Sequence, residues 1–167
     1  MNRIIILFCI FFFLTSFVKS IPLDLRGMMD GPLAGFKPCN GDYPVTLTLM
    51  TMSPDPIVLG QNITVHTVGQ TTEVIEEGAL MRIYHEPNGK PEFESDYCKL
   101  FVEPSGFVCP VEKGNFDFTA TWLIEHKHSE PKTMEDMGKM MHTKITLSNP
   151  DEKVLLCIEG MLQHPMK

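Results

Sequence analysis

The stretch Phe116–Ile124, "FDFTATWLI", has the clearest alternation of apolar and polar residues in the chain. Its apolar positions recur at every second residue: Phe116, Phe118, Ala120, Trp122 and Ile124. Residues two apart on a β-strand lie on the same face. The stretch is therefore predicted to be a strand with one face buried and the other in solvent.

The same period of two recurs in other short segments, which are 45–49, 62–69, 76–86, 142–148 and 154–162. Turn residues separate them, as in "SPDPIVLGQ", "EPNGKPE" and "NPDEK". Six or seven short strands with almost no helical period predict an all-β fold, an antiparallel β-sandwich with one apolar face of each strand turned inward. Inward apolar faces look alike around a filled core and around a cavity, so the alternation does not distinguish the two.

The segment 125–142 departs from this period. Met134, Met137 and Met141 recur at three and four residues, which predicts at most two helical turns. These methionines are interpreted as flexible cover for the edge of the sandwich, or as a pliable rim over an opening. His126 and His128 lie in the same segment, but exposed turn histidines are more common than copper ligands, so no metal site is predicted.

The first 20 residues have the pattern of a secretory signal peptide, in which Arg3 precedes the apolar run 4–17. That run has 14 residues, fewer than the ~20 that cross a bilayer. Residues 21–38 are rich in Gly and Pro and are predicted to be a flexible leader or propeptide. The range 39–167 is then a single domain, expected to be secreted or to reside in the endosome or lysosome lumen.

The charge of the chain narrows the class of partner. The formal net charge is −7, and removal of 1–20 takes away Arg3 and Lys19 but no acid, which gives −9. Nucleic-acid binding requires Lys and Arg to displace counterions, so it is excluded as a function. Anionic membranes would repel this surface at neutral pH, although six histidines would reduce the repulsion in an acidic lumen.

Four cysteines follow the signal peptide: Cys39, Cys98, Cys109 and Cys157. An even number in a secreted chain indicates disulfides, and four cysteines allow three pairings. Cys98 and Cys109 flank a Pro-Ser-Gly turn, so a local bond between them is the simplest closure. Cys39 would then pair with Cys157 and join the start of the domain to its last strand.

No catalytic motif of the common hydrolase, metalloprotease, phosphate-binding or dinucleotide-binding classes is present in the sequence. We therefore predict a protein that is not an enzyme and has no cofactor. The triplet "NIT" makes Asn62 an N-glycosylation acceptor. Asn62 and Thr64 share the face opposite Ile63 and Val65, so the acceptor is expected to point to solvent.

Five pieces of sequence in order, after a secretory signal, resemble the ML lipid-recognition family: "KPCNGDYPV", "SPDPIVLGQNITVHTVG", "IEEGAL", "DYC" followed by "CPVEKG", and "VLLCIEG". They span Cys39 to about Leu162. The resemblance is strongest to the branch of phosphatidylglycerol and phosphatidylinositol transfer proteins, which is related to the Niemann–Pick type C sterol carrier. Two features depart from the family: four cysteines where the sterol carrier has six, and a long segment rich in Met and His.

The resemblance implies an immunoglobulin-like sandwich with splayed sheets and an apolar lipid cavity between them. It also implies the pairs Cys39–Cys157 and Cys98–Cys109. The inward residues expected to line the cavity are Leu47, Leu49, Ile63, Val65, Met81, Ile83, Phe116, Phe118, Trp122, Ile145 and Leu147.

The function that this resemblance implies is transfer of single lipids between membranes, with phospholipids as the first class of cargo and sterols as the second. The carrier is expected to be a monomer in transient contact with the membrane surface. Two alternatives stay open. One is a co-receptor that presents lipid, and the other is an immunoglobulin-like adhesion module with a filled core.

Overall fold

The structure, a computed structural model, describes residues 32–85, 89–124 and 140–163. Within these ranges the chain forms eight strands: β1 Phe36–Pro38, β2 Val45–Ser53, β3 Asn62–Thr71, β4 Leu80–Tyr84, β5 Phe93–Asp96, β6 Gly114–Leu123, β7 Met140–Ser148 and β8 Val154–Gln163. A five-residue π-helical turn, Cys98–Val102, follows β5. Among the described residues, no helix is long and apolar enough to cross a membrane.

The strands form two antiparallel sheets that pack as an immunoglobulin-like β-sandwich. One sheet has five strands in the order β1-β8-β7-β4-β5, and the other has three in the order β2-β3-β6. The predicted all-β sandwich is confirmed, and the strands foreseen from the alternating pattern correspond to β2, β3, β4, β6, β7 and β8. Strands β1 and β5 were not predicted, because three or four residues are too few to show a period.

Strand β2 contains an irregularity that changes which of its residues face inward. Leu47 pairs with Gly69 and Leu49 pairs with Val68, so Thr48 is an extra residue on the β2 side. The Thr48 hydroxyl donates a 3.1 Å hydrogen bond to the Val68 carbonyl oxygen. An inserted residue shifts a period-two pattern by one position, so Met50 is buried beyond the bulge.

The predicted leader 21–38 ends earlier than expected, because its last residues belong to the sandwich. Leu33, Ala34 and Phe36 are buried, and β1 pairs with β8. A Cβ atom on Gly160 of β8 would lie 3.0 Å from Cγ of Phe36, so the ring needs a glycine beneath it. No strand was predicted here, because the segment is rich in glycine and proline and the strand has only three residues.

Both disulfides have the predicted pairing. Cys39 is bonded to Cys157 across 118 residues, with Cα atoms 5.4 Å apart. Cys98 is bonded to Cys109, with Cα atoms 5.9 Å apart. The first bond ties the chain after β1 to β8, and the second ties the π-helical turn to the segment before β6.

Arg82 on β4 joins three parts of the five-stranded sheet. Its guanidinium donates hydrogen bonds to Glu94 on β5, at 2.6 Å, and to Ser148 at the end of β7, at 3.1 Å. It also donates to both carboxylate oxygens of Glu152 in the β7–β8 turn, at 2.9 and 3.1 Å. The hydrogen bonds to Glu152, and then the one to Glu94, hold the pKa of Arg82 above its usual range. The same bonds from Arg82 hold the pKa of Glu152 below the usual range of a glutamate.

The methionine-rich segment falls mostly outside the described residues, which exclude 125–139. Met134 and Met137, together with His126 and His128, belong to that range. Met141 is described and lies in strand β7, half-buried, so the helical spacing does not extend to it.

Candidate functional site

An apolar cavity of about 180 Å³ lies between the two sheets at one end of the sandwich. The three-stranded sheet contributes Leu47, Met50, Met52, Ile63, Val65, Thr67 and Trp122. The five-stranded sheet contributes Met81, Ile83, Phe93, Ile145, Leu156 and Ile158. The segments next to the strands add Ile57, His85, Glu92, Tyr97, Phe101 and Ile124. Glu92, which directly precedes β5, is the exposed residue among those that line the cavity and marks its opening.

Further along β3 and β6, aromatic side chains fill the space between the sheets. Phe116 and Phe118 stack with their ring centroids 5.1 Å apart, and Phe107 meets Phe118 edge-on at 5.3 Å. A Cβ atom on Gly69 would lie 2.8 Å from Cζ of Phe116 and 2.4 Å from the Thr46 carbonyl oxygen. The packing beside Gly69 is at contact distance, so Thr67 is the last residue of β3 that lines the cavity.

Seven of the eleven residues predicted to line a cavity do so: Leu47, Ile63, Val65, Met81, Ile83, Trp122 and Ile145. Four do not border this cavity. Leu49 follows the bulge at Thr48 and loses its place on the inner face to Met50. Phe116, Phe118 and Leu147 face inward but are part of the filled core, where each is at most 6% exposed.

Several cavity residues were missed, for three reasons. Met50 and Met52 come after the bulge, which reverses the alternation of β2. Leu156 and Ile158 on β8 keep the period of two, and that signal was available in "VLLCIEG". Phe101 lies in the π-helical turn and Tyr97 directly precedes it, and the β-strand period does not apply there.

An aromatic group closes one side of the cavity. The rings of Tyr97 and Phe101 stack at 5.3 Å, and Phe101 meets Trp122 edge-on at 5.4 Å. Because Trp122 is on β6 and Tyr97 follows β5, this chain of rings connects the two sheets. It fixes part of the wall as a rigid surface, whereas Met50, Met52 and Met81 give other parts a flexible one.

The opening has a polar rim. The His85 ring is 3.2 Å from the Thr143 hydroxyl through Nδ1 and 3.6 Å from the Glu92 carboxylate through Nε2. Both His85 and Glu92 line the cavity. A polar group of a bound molecule would therefore meet hydrogen-bonding side chains at the opening and hydrocarbon further in.

Two hydroxyl groups interrupt the apolar interior. Thr67 is 6% exposed, and its Oγ1 is the one buried side-chain oxygen or nitrogen without a hydrogen-bond partner in the described ranges. Tyr97 is 7% exposed, and burial alone raises the pKa of its phenol. Burial of a hydroxyl without a partner costs free energy, so the Thr67 hydroxyl is an unusual feature of this wall.

The other predicted sites have simple positions in the fold. Asn62 is exposed at the first residue of β3. Thr64 faces the same way and its hydroxyl lies 2.8 Å from that of Thr121. No group of three or more His, Cys, Asp or Glu residues suited to a metal ion occurs in the described part of the chain. The absence of a metal, of a cofactor and of enzymatic activity stays a prediction.

The family model described as "ML domain" matches residues 34–164, most of the chain. The chain belongs to the ML-domain family. The match begins at Ala34, inside the segment that the structure also places in the sandwich. No curated protein sequence matches the chain.

Two crystal structures are similar to this ML-domain protein. A Niemann-Pick type C2 protein from the Japanese carpenter ant is 17% identical, with a TM-score of 0.52, and the match covers 77% of this chain and 97% of that one. Chicken MD-1 complexed with lipid IVa is 12% identical, with a TM-score of 0.41, over 77% of this chain and 87% of that one. The likeness to the ant protein shows the fold.

Proposed function

We propose that this ML-domain protein binds single lipids in the cavity between its sheets and transfers them between membranes. The observation that carries the proposal is the apolar cavity between the two sheets. A filled-core adhesion module would need no such space. The resemblance to the branch of phosphatidylglycerol and phosphatidylinositol transfer proteins favours a phospholipid as cargo.

A cavity of this kind lowers the barrier to lipid exchange. Each CH₂ group of an acyl chain exposed to water costs about 0.8 kcal/mol, so a chain of about sixteen carbons costs on the order of 12 kcal/mol. Apolar side chains replace the hydrocarbon of the bilayer and remove most of that cost. The affinity must stay close to that of the bilayer, since otherwise the cargo would not be released.

The cavity must enlarge when a lipid enters. A cavity of about 150 Å³ is enough for benzene, and the cavity here, at about 180 Å³, is only slightly larger. Met50, Met52 and Met81 are the wall residues best able to move, because methionine has three rotatable bonds and fills irregular space. We infer that these side chains rearrange around an acyl chain.

The surrounding features fit a protein of the secretory route. The signal pattern in 1–20 and the two disulfides indicate an oxidising compartment. The exposed Asn62 would carry a glycan on the outer face of β3, away from the inner face that lines the cavity. We propose that the mature protein is a monomer, secreted or in the lumen of endosomes or lysosomes.

A transfer assay tests the proposal. Donor vesicles contain fluorescent phosphatidylglycerol with a quencher, and acceptor vesicles contain neither. Addition of the mature protein should speed the rise in fluorescence in proportion to its concentration. A rate equal to the spontaneous rate, for phosphatidylglycerol, phosphatidylinositol and a sterol alike, would contradict the proposed function.

A further inference from the structure

Two side chains that carry a hydroxyl, Thr67 and Tyr97, line a cavity whose interior is otherwise almost entirely hydrocarbon. Thr67 belongs to the three-stranded sheet, while Tyr97 comes directly after β5 of the five-stranded sheet. Thr67 Oγ1 has no hydrogen-bond partner in the described part of the fold. A valine at one position and a phenylalanine at the other would have filled the same space without a polar atom.

Thr67 lies at the inner end of the cavity. Along β3, Ile63, Val65 and Thr67 line the cavity and Gly69 does not. Ile63 pairs with Trp122 near the opening, and Thr67 pairs with Phe118 of the filled core. Four residues of strand separate Ile63 from Thr67, which is a depth of about 13 Å. The hydroxyl is therefore beyond the reach of a head group held at the His85–Glu92 rim.

The consequence for a ligand follows from the cost of a buried polar group. A saturated hydrocarbon chain at this depth leaves Thr67 Oγ1 without a partner, whereas a hydroxyl or keto group on the chain would form the missing hydrogen bond. A site built to bond a polar group also disfavours the analogue that lacks it, because the site's own polar atom is then left unpaired.

We propose that the cavity prefers lipids whose buried chain carries an oxygen function, a hydroxyl or a keto group, over lipids with a purely hydrocarbon chain, with Thr67 as the residue that determines the preference. Tyr97 supplies the second hydroxyl that such a chain meets. The inference rests on the proposed function, since it concerns the contents of the same cavity.

A competition experiment tests it. The protein is incubated with vesicles that contain equal amounts of two phosphatidylglycerols, one with stearoyl chains and one with chains hydroxylated near the middle. The protein is then separated, its lipid is extracted, and both species are quantified by mass spectrometry. The total uptake reports lipid binding, and the ratio of the two species reports the preference. The ratio is that of hydroxylated to stearoyl lipid. The wild-type ratio is divided by the ratio for Thr67→Val, which cancels any difference in how readily the two lipids leave the vesicles.

The expected result is a ratio about fivefold higher for the wild type than for Thr67→Val, the effect of one hydrogen bond. Thr67→Ser keeps the hydroxyl and should keep the preference, while Tyr97→Phe should reduce it. The empty Thr67→Val protein should melt at the same temperature as the wild type or higher, since an unpartnered hydroxyl is removed.

Three other results would count against the inference, each in a different way. Equal ratios for the wild type and Thr67→Val would overturn it while leaving the proposed function intact; this is also the outcome expected if Thr67 bonds only to water. A preference lost in both Thr67→Val and Thr67→Ser would assign it to the shape of the cavity and not to the hydroxyl. Absence of uptake of either lipid would contradict the proposed function itself.

Discussion

Val65 is the residue that best distinguishes a cavity from a filled core. It is 5% exposed, faces inward at the centre of β3 and lines the cavity, with Ala120 opposite it on β6 and Met52 on β2. A larger side chain at this position would enter the space between the sheets. In a close-packed core the extra volume costs about 1–3 kcal/mol, whereas a cavity can accept it.

We therefore expect Val65→Trp to keep a cooperative thermal transition and to lose most lipid binding and transfer, because the indole occupies the place of the acyl chain. Thermal denaturation monitored by circular dichroism, together with the vesicle transfer assay, measures both effects. Thr64→Val on the outer face is the matched control, which removes the glycan acceptor and the contact with Thr121 but should leave binding intact. An unfolded Val65→Trp protein, or one that transfers lipid at the wild-type rate, would show that Val65 does not line a lipid cavity.

At the scale of the elements, the strands of five or more residues were predictable, whereas the two shorter strands and the bulge in β2 were not. The long strands β3 and β6 follow a strict period of two, and their inward residues were assigned correctly from the sequence. Thr48 looks like any other outward threonine, and nothing in "VTLTLMTMS" marks it as the bulge that exchanges Leu49 for Met50. The alternation also gives only the direction of a side chain, so it could not place Phe118 in the filled core and Trp122 at the cavity.

The first element of the domain, β1, is the part that the sequence assigned incorrectly to a leader. Phe36 is 7% exposed and packs on Gly160. We expect Phe36→Ala to lower the free energy of unfolding by about 3 kcal/mol, as for other buried phenylalanines. Urea denaturation measures the change. Lys37→Ala, at an exposed neighbour paired with Glu159 at 3.4 Å, should change stability by less than about 0.5 kcal/mol. If both substitutions have equally small effects, residues 33–38 belong to the predicted leader and not to the folded domain.

The bond between Arg82 and Glu152 gives the five-stranded sheet a dependence on pH. Hydrogen bonds from Arg82 lower the pKa of Glu152 below its ordinary value of 4.5. A carboxyl with a lowered pKa in the folded state stabilises the fold above that ordinary value, and the contribution is lost as the pH falls through the folded pKa. The bond should therefore persist in a mildly acidic lumen of about pH 5.

Glu152→Gln should accordingly lower the melting temperature at pH 7 and flatten its decline in the range below pH 4.5. A series of thermal transitions from neutral to strongly acidic pH measures both effects. Glu112→Gln, at another exposed carboxyl, serves as the control for the general effect of removing a negative charge. If the two variants have the same pH profile, the Arg82–Glu152 bond makes no specific contribution.

At the scale of the whole molecule, the acidic surface sets the conditions for contact with membranes. The chain without residues 1–20 has a net charge of −9 with neutral histidines and carries all six of them. Protonation of the histidines lowers the repulsion from anionic lipid. We expect transfer between anionic vesicles at low salt to be faster near about pH 5 than near about pH 7.5. Equal rates at the two pH values would remove the argument for an endolysosomal site of action.

The central claim is that the sandwich holds one lipid in the cavity between its sheets. Native mass spectrometry of the mature protein, after incubation with phosphatidylglycerol vesicles and removal of the vesicles, tests it most directly. The predicted spectrum shows one added lipid mass per chain for the wild type and for Thr64→Val, and none for Val65→Trp. A wild-type spectrum without any lipid adduct, or the same adduct on folded Val65→Trp, would contradict the claim.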